Sequence, residues 1–351
     1  MQPLFEFPLD STGTWIRLLN NIWGNNEYLQ LSAQYFGSIE KLSYLDLIKN
    51  YDYHCKELLK KLADTKILNS NNYGNILISL RTLKNLLLSC EPSRGYSVSL
   101  SKVNNEMLMW AHYADSHKGF CLVLRPINGK ITQCPKRRKT SLIVSDGHSS
   151  AIGYDFQVED ITYDNRVNPI DAFTMLPMSL TGYREFDSEE TRIKYHELIR
   201  KQLLVKNECW DYEKECRLLL KQPQKFISGE FSYTSFQRLF HYDFTQVVGI
   251  IFGSRMSPSE KENIRSIINQ KIVSQVEASH NSSDKKYIFD FLYQQAEMNS
   301  SRSITINDLE IISMGTELKP GSSHYKDRIE KWKSFKGITV KDKSYTYEEI
   351  P

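Results

Sequence analysis

Three side chains able to do chemistry follow one another at alternate positions in Trp210-Asp211-Tyr212-Glu213-Lys214-Glu215-Cys216-Arg217. Read as a strand over 209–219, this segment puts Glu213, Glu215 and Arg217 on one face, with about 7 Å between successive side chains. Two carboxylates beside a guanidinium suit two purposes. They form a salt-bridge ladder on a solvated face, or one of them holds a ribose hydroxyl or stabilises a cationic intermediate while a rigid strand preserves its geometry. A second cluster lies upstream, in Met109-Trp110-Ala111-His112-Tyr113-Ala114-Asp115-Ser116-His117-Lys118-Gly119-Phe120-Cys121. A helix capped by Asn104 or Asn105 and running to about His117 brings Trp110, Tyr113 and His117 to one face and turns His112 away beside Leu108. Trp110 and Tyr113 are either core anchors or stacking faces for a polar ligand. His117, just before Gly119, either satisfies the last helical carbonyls or faces that ligand.

The elements that must hold these residues are legible from hydrophobic periodicity. Tyr96-Ser97-Val98-Ser99-Leu100-Ser101 alternates as a strand leading into the helix, and Phe120 to Leu124 is a buried strand stopped by Pro126. Upstream, Trp15, Ile16, Leu18, Leu19, Ile22 and Trp23 make an amphipathic piece among short strands and turns. Helices are expected over 45–64 and 75–89, with the turn Ser70-Asn71-Asn72-Tyr73-Gly74 between them. Residues 150–164 read as strand, carrying Tyr154 and Tyr163. Asp187-Ser188-Glu189-Glu190 opens a helix reaching about Lys206, its acids favoured by the helix dipole. Phe244–Phe252 is a further strand, and Ser257-Pro258-Ser259-Glu260 starts a helix with a capping box. Strands separated by helices of unequal length and by long irregular stretches point to an α+β fold, with a mixed or mainly antiparallel central sheet flanked by helices. The core domain is expected over 1–280. From the linker-like Asn281-Ser282-Ser283-Asp284 onward, the polar 281–351 segment reads as an α+β extension, an interaction arm.

With 351 residues, 40% hydrophobic and 25% charged, the chain has an ordinary globular composition, and a net charge of +3 gives no argument for nucleic acid. The basic run Lys136-Arg137-Arg138-Lys139 is either a solvated loop or a phosphate contact. Six cysteines lie without CxxC spacing, so they read as reduced thiols, with Cys121, Cys209 and Cys216 in apolar or alternating runs. The N-terminus lacks a signal-peptide pattern, and no apolar run approaches the ~20 residues of a membrane span. A cytoplasmic protein without membrane attachment is expected. Asp115 near His112 invites a Ser/His/Asp hydrolase reading, yet there is no G-x-S-x-G elbow. Nor is there a P-loop, G-x-G-x-x-G, H-E-x-x-H or EF-hand loop. The His and acid spacing does not specify a metal, and none is expected.

On Met109-Trp110-Ala111-His112-Tyr113-Ala114 with His117 and Gly119, on Ile161-Thr162-Tyr163-Asp164, on the W-x-Y-E-x-E-x-R element at 210–217 and on Val247–Gly253, the chain resembles a large bacterial family of unknown function. The resemblance spans roughly 12–272 and departs near its start. The family's F-N-D-P-x-E element is replaced by Tyr35-Phe36-Gly37-Ser38-Ile39-Glu40, which keeps Phe36 and Glu40. Members often resemble accessory or effector proteins of phage-defence loci. The order of elements also resembles ADP-ribosyltransferases, which consume NAD.

That likeness implies Glu215 as the catalytic carboxylate and Glu213 as its acceptor-side companion; Arg217 and His112 are further catalytic candidates by residue type and position. Ser99 or Ser101 would position the ribose, and Trp110 or Tyr113 would stack on nicotinamide, with His117 and Trp210 beside the cofactor. The first-strand Arg or His of such enzymes has no clear equivalent in Phe5-Glu6-Phe7. The expected function is a defence or toxin effector transferring ADP-ribose to a protein or nucleic-acid acceptor, alone or with other defence proteins. The alternative is a non-catalytic sensor or antitoxin-like partner that binds a nucleotide, nucleic acid or protein.

Overall fold

The computed structural model describes residues 3–90, 95–134, 142–145, 148–151, 155–182, 189–221, 235, 238–280, 286–341 and 344–349. The basic run 136–139, Tyr154, the Asp187-Ser188 helix opening and the 281–284 linker lie outside these residues. By its contacts the chain forms two units, each from several pieces: 1–96, 162–208 and 220–238 in the first, and 97–161, 209–219 and 239–351 in the second.

The first unit is built on helices. Thr12–Trp23, Leu29–Gly37, Tyr44–Lys49, Tyr51–Asp64 and Tyr73–Ser89 surround an aromatic centre in which the Trp15 ring lies 4.8 Å from Phe7, 4.9 Å from Phe36 and 5.2 Å from Phe173. Phe36, in the segment Tyr35-Phe36-Gly37-Ser38-Ile39-Glu40, is therefore a core residue, whereas Glu40 is exposed. The single helix expected over 45–64 is two, because Asn50 leaves the helical region (φ −105°, ψ 21°). The first of them starts at Ser43, whose hydroxyl accepts the Asp46 N–H at 3.0 Å. Ser43→Ala is expected to lower stability by about 1 kcal/mol in thermal melts, the usual worth of such a cap. The unit also holds the helices Met178–Thr181 and Glu189–Leu203 and two parallel pairs of short strands, Phe5–Glu6 with Ile170–Asp171 and Thr162–Tyr163 with Val205–Lys206.

The second unit is organised by a five-stranded mixed sheet in the order Thr316–Leu318, Ile304–Ser313, Phe291–Met298, Val247–Phe252, Phe120–Leu124. Val247–Phe252 is buried at every position, as its unbroken apolar run demands of a central strand. It runs parallel to Phe291–Met298 and reaches it through the 23-residue helix Pro258–His280. The other pairings are antiparallel. The expected capping box forms at the start of that helix. Ser257 Oγ accepts the Glu260 N–H at 3.3 Å, and Glu260 Oε2 accepts the Ser257 N–H at 3.2 Å. Ile268 and Ile272 pack with Ile250, Phe252, Phe291 and Tyr293, while Trp110 and Ala114 pack with Ile251, Ala296 and Ile304. The chain is thus an α+β protein with a mixed central sheet flanked by helices. Residues after 280, expected as an extension, supply three of the sheet's five strands.

A smaller three-stranded sheet carries the site. Its middle strand is Glu215–Lys221, between Gly95–Ser101 and Glu159–Asp160. No helix among the described residues is long and apolar enough to cross a membrane.

Candidate functional site

The helix bearing the first cluster is Met107–Tyr113, shorter at both ends than its sequence pattern suggests. Its cap is Glu106, not Asn104 or Asn105, and Glu106 Oε1 accepts the Leu108 N–H at 3.3 Å. It ends at Tyr113 because Asp115, Ser116 and His117 all take left-handed backbone, with φ of 44°, 53° and 70°. Three such residues in a row cost about 1–2 kcal/mol each for an L side chain, so other contacts must hold them. The N–H of His117 donates to Trp110 O at 3.2 Å, and Gly119 N–H donates to Ala114 O at 2.7 Å. From beyond the central strand, Arg255 N–H donates to His117 O at 3.0 Å and Gly253 N–H to Gly119 O at 2.9 Å. His117 therefore shares no helical face with Trp110 and Tyr113; it sits in the turn, 7% exposed.

Trp110 is 4% exposed and its indole N–H donates to Asn104 O at 2.7 Å, so it anchors the core and offers no stacking face. Tyr113 is 65% exposed, and its hydroxyl reaches Glu213 Oε1 at 2.9 Å. Exposed His112 lies edge-on to Tyr113, ring centroids 6.5 Å apart.

The second cluster departs from its expected form. Glu208–Glu213 is a 3-10 helix, and the strand begins only at Glu215. The alternation of Trp210, Tyr212 and Lys214 imitates a strand, but Lys214 adopts φ 42° and closes a turn. Its N–H donates to Asp211 O at 3.1 Å and its ammonium pairs with Asp211 at 2.5 Å. Glu213 thus reaches the site from the turn and Glu215 from the strand, instead of along one strand face. Neither is on a solvated ladder: Glu213 is 3% exposed and Glu215 4%. Arg217 grips Glu215 at two points, Nε to Oε1 at 2.6 Å and Nη2 to Oε2 at 3.3 Å, the fork geometry that gives a charge-assisted pair its direction.

Ser101 joins the two segments. Its Oγ donates to Glu213 O at 2.7 Å and accepts the Val103 N–H at 3.1 Å, while Lys102 N–H donates to Lys214 O at 3.0 Å. Ser99 stays exposed further back on the strand. Trp210 is 39% exposed, with its ring 5.9 Å from that of Tyr212. Ser101, Tyr113, Glu213, Glu215 and Arg217 are therefore linked by direct contacts or by the Glu213–Arg217 segment. Ser99, His112 and Trp210 lie at the exposed margin, and Trp110 and His117 are built into the framework.

Burial pushes the thiols of Cys121 and Cys216 above the usual range, so neither is primed as a thiolate nucleophile. Cys209, expected at the start of a strand, lies instead in the 3-10 turn and is exposed. Among the described residues no group of three or more His, Cys, Asp or Glu is arranged to hold a metal ion. Sequence reasoning missed Lys102, which pairs with Asp160 at 2.5 Å across the small sheet.

Residues 109–218 match a family model described as a protein of unknown function, DUF2971. The match takes in both clusters and less than a third of the chain. No curated protein and no solved structure matches the chain.

Proposed function

We propose that the second unit carries an NAD-consuming site of ADP-ribosyltransferase type, serving a bacterial defence or toxin effector, with Glu213 as its working carboxylate. The observation that carries this reading is the meeting of Ser101, Tyr113 and Glu213, from a strand, a helix and a turn far apart in sequence. An acid held at a fixed point by a hydroxyl, beside an exposed aromatic ring, suits a ribose that gains positive charge as it reacts.

In the reaction the glycosidic bond between C1′ of the ribose and the nicotinamide nitrogen breaks. The bonding pair leaves with nicotinamide, which becomes neutral. The ribosyl cation is stabilised by Glu213 and captured by water or by a protein or nucleic-acid nucleophile, whose proton passes to solvent. Glu215 acts as a positioning residue, because Arg217 already engages both of its oxygens. Tyr113, rather than the buried Trp110, is the stacking surface for the nicotinamide ring.

Purified full-length protein incubated with NAD and a bacterial lysate is expected to release nicotinamide. Glu213→Gln is expected to lower that rate by about 10²–10³-fold, the usual loss on removing a preorganised electrostatic group. Release unchanged in Glu213→Gln removes that residue from the chemistry. The second reading is a sensor or partner protein that binds a nucleotide, nucleic acid or protein without turnover. The depth of both carboxylates, under 5% exposed, favours it. NAD binding by calorimetry without nicotinamide release would select that reading, and absence of both would remove NAD altogether.

A further inference from the structure

Away from the Glu213 site, the second unit holds a buried carboxylate among three cations that do not pair with it. Asp290, just before the Phe291–Met298 strand, is 4% exposed. Tyr347 donates its hydroxyl to Asp290 Oδ2 at 3.2 Å and lies 3.2 Å from Ser313 Oγ. Arg125, Arg328 and Lys331 act on Asp290 through charge, yet among the described residues none makes an ion pair with it within 4.0 Å. Lys331 is engaged elsewhere, with Asp327 at 2.8 Å.

The two arginines are held by aromatic faces. The Arg125 guanidinium, on a residue 6% exposed, lies 5.1, 5.3 and 4.9 Å from the ring centres of Phe289, Trp332 and Phe335. That of Arg328 lies 4.4 Å from the Tyr347 ring centre. Stacking of this kind offsets charge but uses the faces of the guanidinium and leaves its N–H edges unsatisfied. Arg125 Nη2 donates to Trp332 O at 2.8 Å. Arg125 Nη1, Arg328 Nε and Arg328 Nη1 are all buried without an acceptor. An orphaned buried donor is costly, more so when charged, and native proteins keep few of them. Three on two residues that flank the same carboxylate call for a missing acceptor.

We propose that Arg125 and Arg328 are the two arms of an oxyanion site beside Asp290, shaped for a phosphate-type group. Guanidinium edges match such oxygens two at a time, and the surrounding rings fix the forks in place. Phe335, 65% exposed, covers the Arg125 guanidinium on its solvent side. The same chemistry is offered by free inorganic phosphate and by the phosphoryl group of a nucleotide. The proposal does not depend on the NAD reading, since none of its residues belongs to the Glu213 site.

Asp290 makes the site responsive to pH. Burial raises its carboxyl to about 6, against the opposing pull of Ser313, Arg328, Lys331 and Arg125. Below that value the carboxyl is neutral and tolerates an anion beside it; above it, a carboxylate repels the anion. Oxyanion affinity is therefore expected to fall as pH rises through about 6.

The test is calorimetric titration of the full-length chain with sulfate, which does not change charge across this range, at ionic strength held constant with chloride. Saturable binding is expected, weaker at about pH 7.5 than at about pH 5.5. Arg328→Gln should weaken it at least about tenfold. Asp290→Asn should bind at the higher pH as tightly as the parent does at the lower. Inorganic phosphate and adenosine monophosphate, titrated in parallel, distinguish the sources: equal affinities identify the free anion, and tighter monophosphate binding identifies a nucleotide. Absence of saturable binding with all three anions overturns the proposal. So does parental affinity in an Arg328→Gln protein whose circular dichroism and melting are unchanged.

Discussion

Gly253→Ala is expected to cost about 3 kcal/mol of folding free energy, the upper end for forcing an extra methyl into closed packing. A Cβ there would lie 2.2 Å from His117 O and 2.6 Å from Gly119 O, both backbone atoms with no rotamer to turn aside. To make room, the end of the central strand must separate from the left-handed turn at 115–117. That separation breaks the 2.9 Å bond from Gly253 N–H to Gly119 O and strains the one from Arg255 to His117. Gly13→Ala supplies a control of opposite sign. It lies within Thr12–Trp23 with nothing inside 4 Å of a new Cβ, so a gain of about 0.5–1 kcal/mol is expected. Denaturant melts of the two proteins side by side measure both effects. A Gly253→Ala protein as stable as its parent would mean that the turn and the strand end are not held together.

The second large effect concerns the buried ion pair. Arg217→Met strips Glu215 of its two-point partner while leaving the carboxylate 4% exposed in the parent fold, and a loss of about 3–5 kcal/mol is expected. Neutralising both partners, Glu215→Gln with Arg217→Met, should recover most of that loss, because an apolar or neutral replacement of a buried pair is often close to isoenergetic. The double variant also has a use in the functional assay. If it folds as the parent does and still releases nicotinamide, Glu215 and Arg217 serve geometry alone. If it folds and is inactive while Glu213→Gln is active, the working carboxylate is Glu215. A single variant that melts within about 1 kcal/mol of the parent would show that the pair behaves as an exposed one does.

Much of the framework was legible from residue patterns. The period-two run at 96–101, the unbroken apolar run at 247–252 and the capping box at Ser257 and Glu260 each have one local cause that tertiary contacts reinforce. The two motif clusters were harder to read, for different reasons. In 209–214 an aromatic-polar alternation mimics a strand, and the signals of the turn are the Asp211 and Lys214 spacing of three and a left-handed lysine. At 115–117 no glycine or proline announces the left-handed backbone, which is held by Arg255 and Gly253 just past the end of the neighbouring strand.

Ser101, Tyr113 and Glu213 were identifiable by residue type, and the fold brings them into contact. Trp110 and His117 were also singled out by type, but they serve packing. The H-x-G end of the MW-x-HYA-x-x-H-x-G segment therefore specifies a turn. The polar composition after residue 280 hid that its strands belong to the central sheet, since Ile304–Ser313 alternates Ile304 and Ile306 with polar residues before its buried end.

The division of the chain into interleaved pieces has a consequence for its synthesis. The backbone passes from one unit to the other five times, at 96, 161, 208, 219 and 238. Neither unit is complete until late in translation, and the span matched by the family model, 109–218, ends before the central strand that Phe120–Leu124 pairs with. At about 5–20 residues per second, a ribosome reaches Val247–Phe252 roughly 6–25 s after Phe120–Leu124. For that interval the nascent chain carries an unpaired apolar strand edge, the kind of surface that recruits foreign strands. Its yield in cells should accordingly track the supply of chaperones that shield growing chains.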